Sequence, residues 1–300
     1  MSAPALKDYL HLHFIVLIWG FTAILGLLIS VPAVELVFYR TLLAGLLLAV
    51  IVKVRGKNFN LPPKHLAALL GTGALISAHW ILFFAAARVA NASVCLAGMA
   101  TCSLWTALLE PLSSRKPVRL LEIFLGLLVV AGLYVIFHFE FDHALGLTLA
   151  VASAMLASVF TIINGRFTHR YDSLVITGYE MGGAFLATAL FLPFYRETLA
   201  VGNQLQLVPT AADWLYMGLL AWLCTVYAYS AAVGLMQKFS AFAMNLTVNL
   251  EPVYGIVLAF LFFGEKEKMT TGFYLGTLVI LLAVLAYPAL SRLRRRKAVA

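Results

Sequence analysis

Ten long apolar runs, separated by short polar segments, dominate this sequence of 300 residues. Each run is long enough for a helix that crosses the hydrocarbon core of a bilayer, which takes roughly 20 residues. Their predicted bounds are 11–29, 34–52, 65–87, 92–112, 119–138, 145–164, 174–194, 212–235, 239–262 and 271–290. With 63% hydrophobic and only 11% charged residues, the chain falls outside the range of water-soluble domains. The sequence therefore predicts an all-α integral membrane protein with ten transmembrane helices.

The positive charges predict how these helices enter the membrane, because Lys and Arg accumulate in cytoplasmic loops. Sixteen of the 21 such residues lie in segments that share one side if both termini are cytoplasmic, and four lie in the opposite loops. We therefore expect both termini inside, with residues 1–10 leading into a retained helix rather than a cleaved signal peptide. The basic cytoplasmic tail, 291–300, is expected to contact anionic lipid headgroups of the bilayer rather than nucleic acid.

Weak internal similarity indicates that the chain is a duplicated unit. The matched pairs are Trp19-Gly20 with Ala157-Ser158 at an offset of 138 residues, Tyr39-Arg40 with Tyr179-Glu180 at 140, Asn91-Ala92 with Ser240-Ala241 at 149, and Gly126 with Gly276 at 150. Because a unit of five helices is odd in number, the second copy enters the membrane from the opposite side. The sequence thus predicts two inverted five-helix repeats, 1–138 and 145–290, around a central cavity.

Two motifs carry a resemblance to a known family. One is WGFT at residues 19–22, and the other is NLEPVYGIVLAFLFFGE at residues 249–265. With ten spans in two halves, the chain resembles the drug/metabolite transporter superfamily in its EamA-type exporter branch. That resemblance implies export of amino acids and related hydrophobic metabolites across a bacterial inner membrane by alternating access. The first half departs from the pattern, because Ser103 stands where an offset of 149 would place the proline.

Polar and aromatic side chains in the middle of the predicted spans are the candidates for the cavity wall. His79 lies midway across the bilayer, so it is either a buried structural residue or part of the wall. An offset of 149 places Tyr227 and Tyr229 beside its position, which favours the wall. Met99 fits core packing and an adaptable wall equally well. The full predicted set is Trp19, Thr22, His79, Trp80, Phe83, Met99, Ser103, Trp105, Tyr227, Tyr229, Asn245 and Asn249.

Two charged residues occupy matched positions, each about two turns into its helix, and are predicted to lie in vestibules near opposite membrane faces. Arg40 is expected to reach the nearer interface, with binding of a substrate carboxylate as the alternative. Glu180 either pairs with a neighbouring helix or lines a vestibule. Gly272 and Gly276 form a GxxxG motif, which predicts close helix packing or a dimer contact. The sequence leaves open whether the protein is a monomer or a homodimer.

The Glu251-Pro252 dipeptide is the most unusual element, since an ionisable side chain and a helix breaker are both unfavourable at that depth. The proline frees the carbonyl of residue 248, so the helix is expected to bend there. At 100° per residue, Asn245, Asn249 and Pro252 share one stripe, which we expect to line the cavity or the junction between the halves. Glu251 lies on another stripe and is expected to point into helix packing and brace the hinge. A proton-coupling carboxylate is the alternative.

The predicted cavity limits the class of substrate. No lysine lies deep in a span, which disfavours phosphorylated substrates, whereas aromatic walls with amides and hydroxyls suit zwitterionic or apolar metabolites. We find no sequence motif of a nucleophile–base pair or a metal set, so we predict neither an enzyme nor a cofactor. The three cysteines fall inside predicted spans and are expected to be packed thiols. The alternatives are a multidrug or organic-cation exporter of the same fold, a channel and a receptor.

Overall fold

A computed structural model describes residues 4–114, 119–139 and 141–297. Its ten helical spans are α1 (Leu6–Leu28), α2 (Ala33–Val54), α3 (Pro63–Val89), α4 (Ala92–Ser113), α5 (Leu120–Phe139), α6 (Ala144–Phe167), α7 (Ser173–Thr198), α8 (Ala211–Leu235), α9 (Ala241–Lys266) and α10 (Thr271–Lys297). Eight of them are long and apolar enough to cross a membrane, and α5 and α10 contribute the shorter apolar segments Leu120–Ile136 and Thr271–Ala283. The predicted all-α fold with ten spans is therefore confirmed.

The chain termini and one loop need separate comment. Helix α10 continues to Lys297, so most of the segment predicted as a basic tail is helical. Residues 298–300 and the basic loop residues 115–118 lie outside the described part of the chain. The division of the chain at 138 and 145, and the cytoplasmic side of the tail, stay predictions.

Three spans are interrupted near their middle. Helix α1 is interrupted at Phe21, α4 at residues 100–101, and α9 at residues 249–250. In α9 the second half begins at Glu251 with Pro252 in its first turn, where the backbone N–H that proline lacks would have no partner within the helix. In α4 no proline is present at the interruption, and the Thr101 hydroxyl donates to the Gly98 carbonyl at 2.8 Å. The two interruptions in α4 and α9 are themselves 149 residues apart, so they lie at equivalent positions of the repeat.

The helices of the two halves pack in reciprocal pairs. Helix α3 contacts α6 and α7, and its counterpart α8 contacts α1 and α2. Helix α4 contacts α6, and its counterpart α9 contacts α1. Three further contacts join a helix to its own counterpart, namely α2 with α7, α4 with α9, and α5 with α10. Each half therefore completes the packing of the other, and the space between them is bounded by both.

Helices α3 and α7 approach so closely that only glycine fits at their crossing. A Cβ atom on Gly73 would lie 2.2 Å from the Glu180 carbonyl oxygen, and one on Gly183 would lie 2.3 Å from the Leu70 carbonyl oxygen. Gly71, two residues from Gly73, has open space around it instead. Small residues let helix backbones come together in membranes.

Helices α5 and α10 make a second close crossing. A Cβ atom on Gly276 would lie 2.5 Å from the Gly132 carbonyl oxygen, and one on Gly132 would lie 2.7 Å from the Gly276 carbonyl oxygen. Gly276 of the GxxxG motif is thus engaged in packing within the chain, which is the first of the two roles predicted for that motif.

Contacts between loops fall on two ends of the helix bundle. At one end Lys57 pairs with Asp172, and Lys238 donates to Asp8 at 2.7 Å. At the opposite end Asp213 accepts four hydrogen bonds, from the backbone and hydroxyl of Ser30 at 2.6 and 2.7 Å and from those of Thr210 at 2.8 Å each. Thr210 also caps the N-terminus of α8, and the pair forms a capping box. Asp213 therefore fastens the α1–α2 loop to the start of α8.

Candidate substrate cavity

A cavity lies between the two halves, with about 780 Å3 of space not occupied by atoms when the part open to solvent is included. Side chains from α1, α2, α3, α4, α6, α8 and α9 line it. Ten of the sixteen residues singled out in the sequence are in this lining, namely Trp19, Thr22, Arg40, His79, Trp80, Phe83, Met99, Tyr229, Asn245 and Glu251.

The cavity-lining residues of the first half correspond to those of the second half through the repeat. The offsets found in the sequence connect lining residues in pairs, which are Trp19 with Ala157, Thr22 with Phe160, Trp80 with Tyr229, Phe83 with Ala232, Met99 with Val248, and Cys102 with Glu251. Ala157, Phe160, Ala232, Val248 and Cys102 were not in the predicted set. The same offsets, applied to the residues that were, would have found them.

Arg40 enters the cavity rather than a vestibule. Its side chain is only 2% exposed, and its guanidinium carbon lies 3.8 Å from the centre of the Trp80 ring. Nε donates to the Thr225 hydroxyl at 2.9 Å, whereas Nη1 has no hydrogen-bond partner among the described residues. The prediction that this side chain reaches an interface is therefore wrong, because Trp80 and Thr225 hold the guanidinium inside the bundle by cation–π contact and a hydrogen bond.

The segment that holds Arg40 is a π-helix, Leu220–Tyr227, in the middle of α8. The Thr225 hydroxyl donates to the Leu220 carbonyl, five residues earlier, at 2.9 Å while it accepts from Arg40. Single-turn π segments are rare and occur frequently at functional sites. The sequence gives no sign of this one.

Glu251 also lines the cavity, so the prediction that it points into helix packing is wrong. The helix is interrupted at residues 249–250, just before this residue. Glu251 lies in the first turn of the second half of α9, where a helix N-terminus favours negative charge. Among the described residues it forms no ion pair with Arg40, and both charged groups remain available to a ligand.

One ring nitrogen of His79 is hydrogen-bonded, and the other has room for a ligand. Its Nδ1 lies 2.7 Å from the Ser153 hydroxyl and 3.0 Å from the Ser153 carbonyl oxygen. The ring also meets that of Phe160 edge to face, with centroids 5.3 Å apart. Since Ser153 takes Nδ1, Nε2 is the ring nitrogen left for a ligand. The two roles predicted for this histidine, structural and cavity-lining, are combined in one side chain.

Glu180 lies behind the cavity wall and not in a vestibule, which agrees with the predicted alternative of pairing with a neighbouring helix. It is fully buried and accepts a hydrogen bond from the Tyr229 hydroxyl at 3.1 Å. That hydroxyl also accepts from Asn164 Nδ2 at 2.8 Å. Tyr229 itself lines the cavity, so its ring separates the buried carboxyl from the open space.

The two asparagines of α9 join that helix to α4. Asn245 donates to the Thr106 hydroxyl at 2.7 Å and also lines the cavity. Asn249 donates to the Ser103 hydroxyl at 2.6 Å, and neither of these two residues lines the cavity. Ser103 instead borders a small separate pocket beside α5. The asparagine stripe therefore serves as both wall and junction.

Three more predicted residues lie outside the lining. Tyr227 is 39% exposed and contacts His11 Nε2 through its hydroxyl at 3.1 Å, so it faces away from the cavity. Trp105 is a half-buried residue of α4, and Pro252 is buried at the start of the second half of α9. Tyr227 was assigned by its offset alone, and the π-helix that ends at this residue changes the face on which it lies.

Flexible and soft side chains complete the wall. Met99, Met236 and Met244 line it from α4 and from the two sides of the α8–α9 connection. Methionine adapts its shape to different apolar ligands. Within the described ranges, no group of three or more His, Cys, Asp and Glu side chains is arranged to hold a metal ion.

These features define a multi-pass membrane protein with a small-molecule cavity between two interlocked halves. A model of the EamA-like transporter family matches residues 9–138 and 144–287, and the chain belongs to that family. A relative described as an uncharacterized transporter, from Archaeoglobus fulgidus, is 26% identical over 274 residues, which are 88% of this chain and 92% of the relative. A protein of known crystal structure superposes with a TM-score of 0.69 over 95% of this chain and 98% of its own; at 18% identity this likeness concerns the fold alone. The chain is thus a membrane transporter.

Proposed function

We propose that this transporter exports amino acids with aromatic or hydrophobic side chains, and related small zwitterionic metabolites, by alternating access. The membrane would be a bacterial inner membrane, with both termini in the cytoplasm. Among members of the superfamily, the sequence resembles most the aromatic amino-acid exporter YddG, and the direction of transport rests on that resemblance. No cofactor is required for such a function.

The single observation that carries the choice of substrate is the presence of opposite charges in one aromatic cavity. Arg40 presents an unpaired guanidinium nitrogen, which suits a carboxylate, and Glu251 suits an ammonium group. Trp80, Phe83 and Tyr229 supply the apolar walls for a side chain. A free amino acid carries all three of the matching parts.

Organic cations fit the cavity less well. Glu251 and the aromatic rings would attract a cation, but Arg40 lies over Trp80 at 3.8 Å and already occupies the face of that ring. A second positive charge in the same enclosed space is unfavourable. The guanidinium therefore favours substrates that bring their own carboxylate.

The test is counterflow in proteoliposomes with L-phenylalanine and two analogues, phenethylamine without the carboxylate and 3-phenylpropionate without the ammonium. Wild-type protein should exchange L-phenylalanine best. Arg40→Gln should weaken L-phenylalanine exchange by about 10- to 100-fold, the range of a hydrogen bond to a charged group. It should raise phenethylamine exchange, since the variant removes the positive charge that disfavours a cation in the cavity.

Arg88→Gln is the matched control, because Arg88 donates to the carbonyls of Gly26 and Ile29 at 3.1 Å and does not line the cavity. Equal losses in the two variants would show that Arg40 acts on folding and not on the substrate. Efficient wild-type exchange of phenethylamine, with none of L-phenylalanine, would favour the organic-cation alternative. Flux that does not saturate with substrate would favour a channel.

A further inference from the structure

We infer that Glu180 is a proton-binding site of this transporter, and that Tyr229 links its protonation to occupancy of the cavity. The carboxyl lies in α7, outside the cavity lining, and is 0% exposed. Its role is separate from that of Glu251, which lies on the wall. The inference rests on the proposed transport function for its physiological meaning, but not for its first test.

The hydrogen bonds around Glu180 are incomplete without a proton. Oε2 accepts from the Tyr229 hydroxyl at 3.1 Å, while Oε1 is buried without a partner. Asn164 donates to the same hydroxyl at 2.8 Å, and its Oδ1 is also buried without a partner. Two unpaired acceptors in one buried cluster are costly, and each lacks a donor. A proton on the carboxyl supplies such a donor.

Within the described part of the chain, no positive charge forms an ion pair that would balance an ionised Glu180. Helices α2, α3 and α8 pack against α7. Arg40 of α2 is bonded to Thr225 and lies over the Trp80 ring, and His79 of α3 is bonded to Ser153. Tyr229 of α8 is the titratable group in contact with the carboxyl, and Tyr179 on α7 itself donates instead to the Phe59 carbonyl.

Among the described residues, no Lys, Arg or His forms an ion pair with Glu180. A buried carboxylate without a counter-charge is strongly unfavourable, so in this conformation the site holds its proton.

Tyr229 connects this site to the substrate. Its ring lines the cavity and meets the rings of Trp80 and Phe160 at centroid distances of 6.5 and 6.1 Å. A substrate that displaces this ring weakens the hydrogen bond to Glu180 and opens the carboxyl to cavity water. The carboxyl O–H bond then breaks and the proton passes to water. Cavity water solvates the carboxylate that remains, and one proton is exchanged per substrate.

Glu180→Gln removes the proton and keeps the shape. The amide oxygen can accept from Tyr229 as Oε2 does in the wild-type protein, and the side chain keeps its size. The variant is therefore expected to fold. Glu251→Gln is the matched control for spectroscopy, since it makes the same exchange on a residue of the cavity wall.

The first experiment measures protonation directly in the purified full-length protein. The difference spectrum between the wild type and Glu180→Gln should contain the C=O stretch of a protonated carboxyl, and the same difference should appear between Glu251→Gln and the double variant. Absence of this band from the difference spectra across the accessible pH range overturns the inference whether or not any substrate is transported.

The second experiment measures coupling in proteoliposomes with L-phenylalanine as the probe. A pH gradient should drive uptake by the wild type at least tenfold above the rate without a gradient, and Glu180→Gln should lose this drive while it retains counterflow. Uptake driven by a sodium gradient alone, or a pH-driven uptake that persists in Glu180→Gln, contradicts the inference. Absence of L-phenylalanine counterflow in the wild type, with the Glu180 infrared band present, refutes the proposed substrate instead and leaves the proton site standing.

Discussion

Gly73→Ala should separate α3 from α7 and unfold the protein at a lower temperature. An added Cβ atom would lie 2.2 Å from the Glu180 carbonyl oxygen and 2.6 Å from the Ala184 nitrogen. The first distance is about 1.2 Å shorter than the 3.4 Å at which ordinary contacts begin. Both neighbours are backbone atoms, so no side chain can rotate away and the two helices have to move apart.

The size of the effect follows from the kind of clash. Inserting atoms into a packed core costs about 1–3 kcal/mol, and a clash with backbone lies at the upper end of that range. At about 2–4 °C per kcal/mol, the thermal midpoint should fall by about 5–10 °C. Transport should fall as well, because the shift moves the carboxyl of Glu180 relative to its 3.1 Å contact with Tyr229.

The measurement is the thermal midpoint of the detergent-purified protein, followed by size-exclusion chromatography of heated samples. Gly71→Ala is the control on the same helix, since no atom lies within 4 Å of its added Cβ atom. Alanine is the better helix former by about 1 kcal/mol, so this variant should be unchanged or slightly more stable. Equal midpoints for the two variants would refute the argument that backbone contact fixes the crossing.

Three further outcomes test other parts of the molecule. In a protein without cysteines, a membrane-impermeant thiol reagent added outside should label Asn203→Cys and not Lys57→Cys; the reverse pattern would invert the proposed topology. Asp213→Ala loses four accepted hydrogen bonds and should lower the thermal midpoint by at least about 3 °C, at about 1.5 kcal/mol or more for bonds to a charged group; Glu197→Ala, which breaks an exposed ion pair, should change it by about 1 °C at most. Pro252→Ala should slow substrate exchange without abolishing binding, and unchanged exchange rates would deny a hinge role to that proline.

The sequence predicts the helices well because crossing a bilayer leaves a strong local signal. A run of twenty apolar residues predicts little other than a transmembrane helix. The repeat offsets relate positions that the fold brings to one cavity. The errors arose where distant residues decide the outcome. Arg40 is held inside by Trp80 and Thr225 from other helices, and nothing near Arg40 in the sequence indicates those partners.

Two other errors have a common physical cause. The face of Glu251 was predicted for a continuous helix with 100° per residue, and Tyr227 was assigned by its repeat offset, which also assumes a regular helix. Glu251 follows the interruption at 249–250, and Tyr227 lies at the end of the π-helix. Both departures depend on packing across the bundle, so a helical wheel cannot anticipate them.

The equivalent interruptions in α4 and α9 bear on how the two copies of a duplicated gene can diverge. Only the interruption in α9 is followed by a proline, yet α4 is broken at the same point of its repeat. The bonds from Asn249 to Ser103 and from Asn245 to Thr106 join the two helices beside their interruptions. The partner helix therefore supplies part of the information that specifies the bend. Once one copy contains the proline, the equivalent position of the other copy can change without loss of its interruption. The shape of a helix can therefore be kept after the sequence that first produced it has changed.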